Sequence, residues 1–194
     1  MMPSAFVRNA NLVRNREKRR DVYYTPETLV RRHLSLFDGI RDVHVLDPFR
    51  GNGAYYNIFP EVFKDSTFDW CEIEDGVDFL NYNGRPDIIV SNPPFSIIER
   101  VLEKCYELRP RMISFLLQMH NITPHRLRRA NEMGYFVYDY TLCRVDRWFG
   151  ISVILTLSRE INDNVIGFDI SKHKMVDVPR EVEIEREDCQ CNLI

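Results

Sequence analysis

Two consecutive prolines at the end of an unbroken apolar run constrain this chain more than any other feature. Residues 87–91 read Asp87-Ile88-Ile89-Val90-Ser91, and Asn92-Pro93-Pro94-Phe95 follows with no spacer. Ile-Ile-Val is the composition of a strand covered on both faces. Neither proline can donate to a sheet ladder, so the strand must stop and leave a stiff loop at its carboxyl end.

The segments on either side alternate. Residues 43–49 form a short apolar strand that meets Gly51-Asn52-Gly53, and 54–63 read as a short helix or turn region interrupted at Pro60. A second strand spans 67–73 and ends in acids. Residues 97–108 carry Ile97, Ile98, Val101, Leu102, Cys105 and Leu108 at helical spacing. A further apolar strand covers 112–119. Thr123 caps a helix through Arg129, with Pro124 at its first position and Gly134 as its stop. Residues 135–140 and 151–157 are strand-like, and the polar turn with Gly150 between them suits antiparallel pairing. Such alternation predicts an α/β fold with a doubly wound, mostly parallel sheet. The length of 194 residues suits one domain with a substantial core. Ligands of such sheets bind outside the carboxyl ends of the strands. Every chemically suggestive cluster in this sequence lies at such an end.

The first cluster is Asp47-Pro48-Phe49-Arg50-Gly51-Asn52-Gly53. Two glycines let the backbone turn tightly and approach a ligand with no β-carbon in the way. The pattern is neither a Walker loop nor a full dinucleotide fingerprint, and a plain strand-to-helix turn explains a lone Gly-x-Gly equally well. Asp47 adds chemistry, since a carboxylate at a strand end accepts hydrogen bonds from an ammonium group. Glu72 and Glu74 close the second strand, where an acid grips ribose hydroxyls, and Glu72 precedes the bend at Asp75-Gly76. Asp78 offers an acceptor to an adenine amino group, and Phe79 or Leu80 a surface for its ring. The plain alternative for these acids is solubility at strand ends.

The Asn92 loop suits a particular nucleophile. An aromatic amino nitrogen is a poor nucleophile because its lone pair is delocalised into the ring. Two fixed acceptors, the Asn92 side-chain oxygen and the Pro93 carbonyl, favour a pyramidal nitrogen whose lone pair is aimed at an electrophile. Pro94 stiffens the loop. Phe95 supplies a face on which a flipped base stacks, worth about 1–3 kcal/mol. As an isolated tetrapeptide the segment reads as an ordinary turn; after a strand, about forty residues beyond the glycine turn, it reads as chemistry.

With these motifs in this order the chain resembles the class I S-adenosylmethionine-dependent amino-methyltransferases of the adenine-N6 DNA type, which phages, viruses and restriction–modification systems often encode. Tyr23-Tyr24-Thr25-Pro26 resembles the element that approaches the methionine end of the cofactor. Asp47 to Gly53, including Pro48, Phe49, Gly51 and Gly53, resembles the glycine loop, Glu72 the ribose acid, and Asp78-Phe79 the adenine-contacting pair. Asn92-Pro93-Pro94-Phe95 resembles the catalytic tetrapeptide, with Asn92 also near the cofactor. The resemblance implies a Rossmann-like sheet of seven strands with the last reversed, S-adenosyl-L-methionine as cofactor, and methylation of adenine N6 in DNA. RNA adenine, a protein glutamine amide and a catalytically silent cofactor-binding subunit are the competing readings. The resemblance covers about residues 20–160, and a full recognition domain is not expected in the residues after it. Arg126, Arg129, Arg147 and Trp148, with Arg128 and Arg144, are the candidates for holding substrate, and a homodimer or accessory subunit is the candidate source of further contact area. A charged helix surface and a loop between strands are their plain reading.

Charge and cysteine usage bound the rest. Net charge is −3, yet residues 1–50 carry ten Lys/Arg against six Asp/Glu, and the tail from Val176 is rich in acids. A basic front and an acidic tail suit a polyanion-binding face. The expected organisation is a basic segment 1–20, a methyltransferase domain 21–160, and a C-terminal extension 161–194 with the acidic tail. No apolar run reaches about 18 residues, so no membrane-spanning helix is expected. The first twenty residues resemble a transit peptide in charge, but Tyr23 follows with no spacer. Five cysteines, an odd number, suit a reducing compartment, cytoplasmic or nuclear, and not secretion. Cys189-Gln190-Cys191 supplies two ligands at most, so no metal site is expected.

Overall fold

In a computed structural model, residues 25–144 and 150–160 are described. Tyr23, Tyr24, Arg147 and Trp148 lie outside them, as do the basic segment 1–20 and the acidic extension.

The chain enters on α1 (Glu27–Leu34), to which the sequence pattern had assigned no element. Pro26 stands at its N-cap, Glu27 in its first turn and Arg31, Arg32 and His33 in its last, as the helix dipole favours. Val30, His33 and Leu34 form its buried stripe. Then follow β1 (His44–Asp47), α2 (Phe59–Val62), β2 (Thr67–Trp70), β3 (Ile88–Ser91), α3 (Ile98–Leu108), β4 (Met112–Gln118), α4 (Pro124–Glu132), β5 (Phe136–Cys143) and β6 (Ser152–Ser158). Pro60 does not interrupt the segment 54–63; it occupies the first turn of α2, where its missing N–H breaks no helical bond. Thr123 Oγ1 accepts from the Arg126 N–H at 3.3 Å, and Gly134 takes φ +82° beyond the end of α4.

The strands form one sheet in the order β2-β1-β3-β4-β6-β5. β1, β2, β3 and β4 run parallel, and β6 is antiparallel to both β4 and β5. The reversed final strand is present, but among the described residues the sheet has six strands rather than the seven expected. The difference lies between Trp70 and Ile88. That connection holds two 3-10 turns, Ile73–Asp75 and Phe79–Asn81, and carries the chain from edge strand β2 straight to β3. A further parallel strand needs its own crossover of a dozen or more residues. This stretch has no room for one, so among the described strands β2 is left at the edge.

Alternation along the strands separates two apolar layers. Leu46, Ile89, Ile113 and Phe115 pack with Val101, Leu102 and Cys105 of α3 and Ala130 of α4. Val45, Ile88 and Val90 pack on the opposite face with Val30 and Leu34 of α1 and with Phe37, Phe59 and Phe63. The parallel strand ends, and with them the loops after Asp47, Trp70, Ser91 and Gln118, gather along one edge.

Candidate functional site

β1 ends at Asp47, and the backbone folds back at once: the Phe49 N–H donates to Asp47 Oδ1 at 3.2 Å. Gly51 and Gly53 take φ +51° and +87°, conformations that L side chains rarely adopt. A β-carbon on Gly53 would lie 2.7 Å from Asn57 Nδ2. The turn is therefore built for glycine at both positions.

The Asp47 carboxylate is wholly buried. Its Oδ1 also accepts from Ser91 Oγ at 2.7 Å, whereas Oδ2 has no hydrogen-bond partner; the Tyr56 N–H approaches without closing a bond. Burial pushes the Asp47 pKa up to about 7, against the opposing pull of the Ser91 and Phe49 hydrogen bonds. A buried carboxylate with one vacant acceptor is expensive unless a cation or donor meets it. A ligand ammonium group has that chemistry.

On the neighbouring loop Glu72 Oε2 accepts from the Gly51 N–H at 2.8 Å and Oε1 from the Glu74 N–H at 3.2 Å. Glu72 thereby fastens the β2 loop to the glycine turn. Arg50 makes a second fastening, stacked 3.8 Å over the Trp70 ring and paired with Asp75. Asp78 caps the next turn, accepting from the Leu80 N–H at 3.0 Å and Asn81 Nδ2 at 3.3 Å. Phe79 is buried and meets Phe49 edge-on at 5.5 Å, so its ring fills the core, and Leu80 is the half-buried neighbour.

β3 delivers the tetrapeptide. Ser91 and Pro93 are buried, while Asn92, Pro94 and Phe95 are half-buried. The Asn92 amide Nδ2 donates to Thr25 Oγ1 at 3.2 Å, across 67 residues, and so brings the start of α1 against this loop. Thr25 is buried and Pro26 exposed. The glycine turn, Glu72, Asp78, Thr25 and Asn92 therefore share one edge of the sheet.

Arg126 and Arg129 stand on α4, where acids of α3 engage them. Arg129 is bidentate to Glu103, both contacts at 2.8 Å. Arg126 donates to the Asn121 carbonyl at 2.8 Å and lies 3.6 Å from Glu99. Among the described residues no group of three or more His, Cys, Asp and Glu is placed to hold a metal ion, and no helix is long and apolar enough to cross a membrane.

Four residues at or behind this edge escaped the sequence reading. Ser91 reads there only as the last residue of a strand. Ile73 is 72 % exposed between two acids, and an isoleucine inside an acidic loop was the available signal. Tyr55 and His33 lie behind Thr25, and nothing local in the sequence marks them.

No protein-family model matches the chain, and no curated protein matches it by sequence. Solved structures do match its shape. TrmN from Thermus thermophilus aligns with a TM-score of 0.53 at 18% identity over 68% of this chain and 48% of TrmN, so the chain spans about half the length of that protein. The 1,6-didemethyltoxoflavin-N1-methyltransferase of Burkholderia thailandensis, solved with S-adenosylhomocysteine, aligns with a TM-score of 0.55 at 11% identity over 81% of this chain and 91% of its own. The 23S rRNA methyltransferase ErmE aligns with a TM-score of 0.51 at 16% identity over 75% and 73%. At such identities the likeness is one of architecture, and the chain has the α/β fold that these proteins share.

Proposed function

We propose that the chain transfers a methyl group from S-adenosylmethionine to the N6 amino group of adenine in DNA. The observation that carries this reading is the meeting of two half-sites on one strand edge: the glycine turn with the vacant Asp47 oxygen, and the Asn92 loop bonded to it through Ser91.

The residues present fit the cofactor. Asp47 Oδ2 would receive its ammonium group, the Gly51 and Gly53 turn admits close backbone approach, and Glu72 would take the ribose hydroxyls in exchange for its present backbone bonds. Ile73 and Leu80 offer apolar surface to the adenine, and Asp78 an acceptor to its amino group. When bound, S-adenosylmethionine supplies an electrophilic methyl group on a sulfonium. The chain's own work is to prepare the acceptor. Asn92 Oδ1 and the Pro93 carbonyl hold the two N–H bonds of the target amine, so that its lone pair points away from the ring plane. The Phe95 ring stacks the extruded base. The nitrogen gains its bond to carbon as the sulfonium loses its own, and the proton then leaves to water. Arg126 and Arg129, at the α4 end of the same edge, are proposed to border the nucleic-acid path.

RNA adenine is the second reading, favoured by the shape likeness to a protein named as an rRNA methyltransferase. Labelled S-adenosylmethionine incubated with the full chain and DNA, RNA or protein separates them, with the product nucleoside or amino acid identified by mass spectrometry. N6-methyladenine in DNA is the expected product, and label in RNA or glutamine alone would overturn the choice. Asn92→Ala is expected to abolish transfer and leave S-adenosylhomocysteine binding largely intact.

A further inference from the structure

A chain of buried polar side chains runs from the Asn92 loop into the middle of the sheet. Asn92 Nδ2 donates to Thr25 Oγ1 at 3.2 Å. The Thr25 side chain comes close enough to the Tyr55 hydroxyl to oppose the rise that burial gives the Tyr55 pKa. Tyr55 Oη lies 2.9 Å from His33 Nδ1, and His33 Nε2 lies 2.7 Å from Ser114 Oγ. Ser114 Oγ lies 2.7 Å from Thr156 Oγ1. Thr25, Tyr55, His33, Ser114 and Thr156 are all buried, His33, Ser114 and Thr156 completely. Five polar side chains in an otherwise apolar layer, between Val30, Leu34 and Val45, are far more than packing requires.

We infer that Tyr55 and His33 are positioning residues that fix the orientation of the Asn92 amide through Thr25. The inference rests on the role proposed above for Asn92, whose Oδ1 accepts a hydrogen bond from the target amine. An amide offers a donor end and an acceptor end of nearly the same shape, and only its partners decide which end points where. The acceptor chemistry needs Oδ1 toward the target amine and therefore Nδ2 toward Thr25, the arrangement seen. Thr25 then accepts with its oxygen, leaving its own proton for Tyr55. Tyr55 passes its proton toward His33 Nδ1, and the Nε2–H of His33 turns to Ser114. Burial holds His33 neutral, its pKa down to about 3, so the ring has one donor and one acceptor and keeps the chain of donors running one way. The rigid sheet at Ser114 and Thr156 anchors the far end. Catalytic groups held by such a shell lose large factors in rate when the shell loosens, though nothing in it touches substrate.

The experiment uses the full chain, labelled with nitrogen-15, and two near-isosteric variants, Tyr55→Phe and Thr25→Val. The Asn92 side-chain amide pair is assigned by its disappearance in Asn92→Asp. In the wild type it is expected as a resolved pair with slow hydrogen exchange. Each variant is expected to move that pair and speed its exchange about tenfold or more, more in Thr25→Val than in Tyr55→Phe. In Tyr55→Phe kcat for methyl transfer is expected to fall about tenfold, with KM for S-adenosylmethionine and the affinity for S-adenosylhomocysteine within about twofold. An Asn92 amide pair unmoved in both folded variants overturns the inference, as does a loss confined to melting temperature. A wild-type protein with no transferase activity would sink the functional reading instead, and the amide signature would still decide whether Tyr55 orients Asn92.

Discussion

Ser91 Oγ donates a 2.7 Å hydrogen bond to Asp47 Oδ1, joining residues 44 positions apart in the chain and both wholly buried. β1 and β3 are adjacent and parallel, with Leu46 opposite Ile89, so their last residues reach the carboxyl edge one residue out of step. The bond ties the glycine turn to the loop that opens with Asn92. Neither half of the proposed site can shift by much without the other. Because Ser91 occupies Oδ1, only Oδ2 is left for a ligand.

The first prediction concerns pH. Asp47 stands at about 7 when folded, against an ordinary 3.8. Since the folded value is the higher one, this group stabilises the fold fully below pH about 4, and that contribution is lost as pH rises through about 7. In Asp47→Asn the ligand-free protein should therefore lose less melting temperature between pH 5 and pH 8 (roughly the window set by that shift) than the wild type does. Ligand binding runs the other way, because an ammonium favours the ionised carboxylate. Wild-type affinity for S-adenosylhomocysteine should tighten as pH rises through about 7. Asp47→Asn should weaken it by about 1.5–3 kcal/mol. Titration calorimetry across that range checks both, and a flat wild-type profile counts against the assignment of Asp47.

The two glycines of the turn should respond differently. Gly51 at φ +51° has open space where a β-carbon would stand, so Gly51→Ala should lose about 1–2 kcal/mol from backbone strain alone. Gly53 at φ +87° carries the same strain, and its new β-carbon would also strike the Asn57 amide. Gly53→Ala should thus be the more damaging, and removing the obstacle in Gly53→Ala/Asn57→Ala should recover part of the difference. Denaturant unfolding of the three variants gives the comparison. Equal losses in the two single variants would show that Asn57 moves aside freely.

Phe95 is half-buried against the α3 layer and carries the proposed stacking face. Phe95→Leu keeps apolar volume in the layer and removes the ring face. Its kcat/KM for nucleic acid should fall by about 1–3 kcal/mol, with S-adenosylhomocysteine affinity unchanged. Tyr in place of Phe preserves the face and should restore most of the rate. A Leu variant as active as the wild type would remove Phe95 from the base-binding role.

The order of the main elements was readable because this chain obeys local rules. Val45-Leu46-Asp47 and Ile88-Ile89-Val90 are short apolar runs stopped by Pro48 and by Pro93-Pro94, and 98–108 repeats at helical spacing. Three things were not readable. The absence of an outer strand among the described residues depends on how few residues join Trp70 to Ile88, and a count of motifs does not register that. Helix α1 was overlooked because Glu27 to Leu34 is mostly polar, its burial resting on Val30, His33 and Leu34 alone. The bonds that organise the edge, Ser91 to Asp47 and Asn92 to Thr25, are long-range and exist only once the strands have aligned. The partners of the arginines were hidden in a different way: Arg129 and Glu103 are 26 residues apart, and their pairing across two helices is invisible from either segment.

Among the described residues no outer strand stands beside β2, its loop is open to solvent, and Ile73 stands 72 % exposed next to Glu72. An isoleucine so placed contributes almost nothing to stability, and its substitution should change the unfolding free energy by no more than about 0.5 kcal/mol. If the adenine of the cofactor packs on it, however, binding covers apolar area that the free protein leaves wet. Ile73→Ser should then weaken S-adenosylhomocysteine binding by about 1–2 kcal/mol, the value of burying much of one aliphatic side chain, with a less negative heat capacity of binding. Calorimetry at several temperatures measures both. Unchanged affinity and heat capacity in this variant would mean that the ring lies elsewhere, and that the exposed isoleucine is a surface residue only.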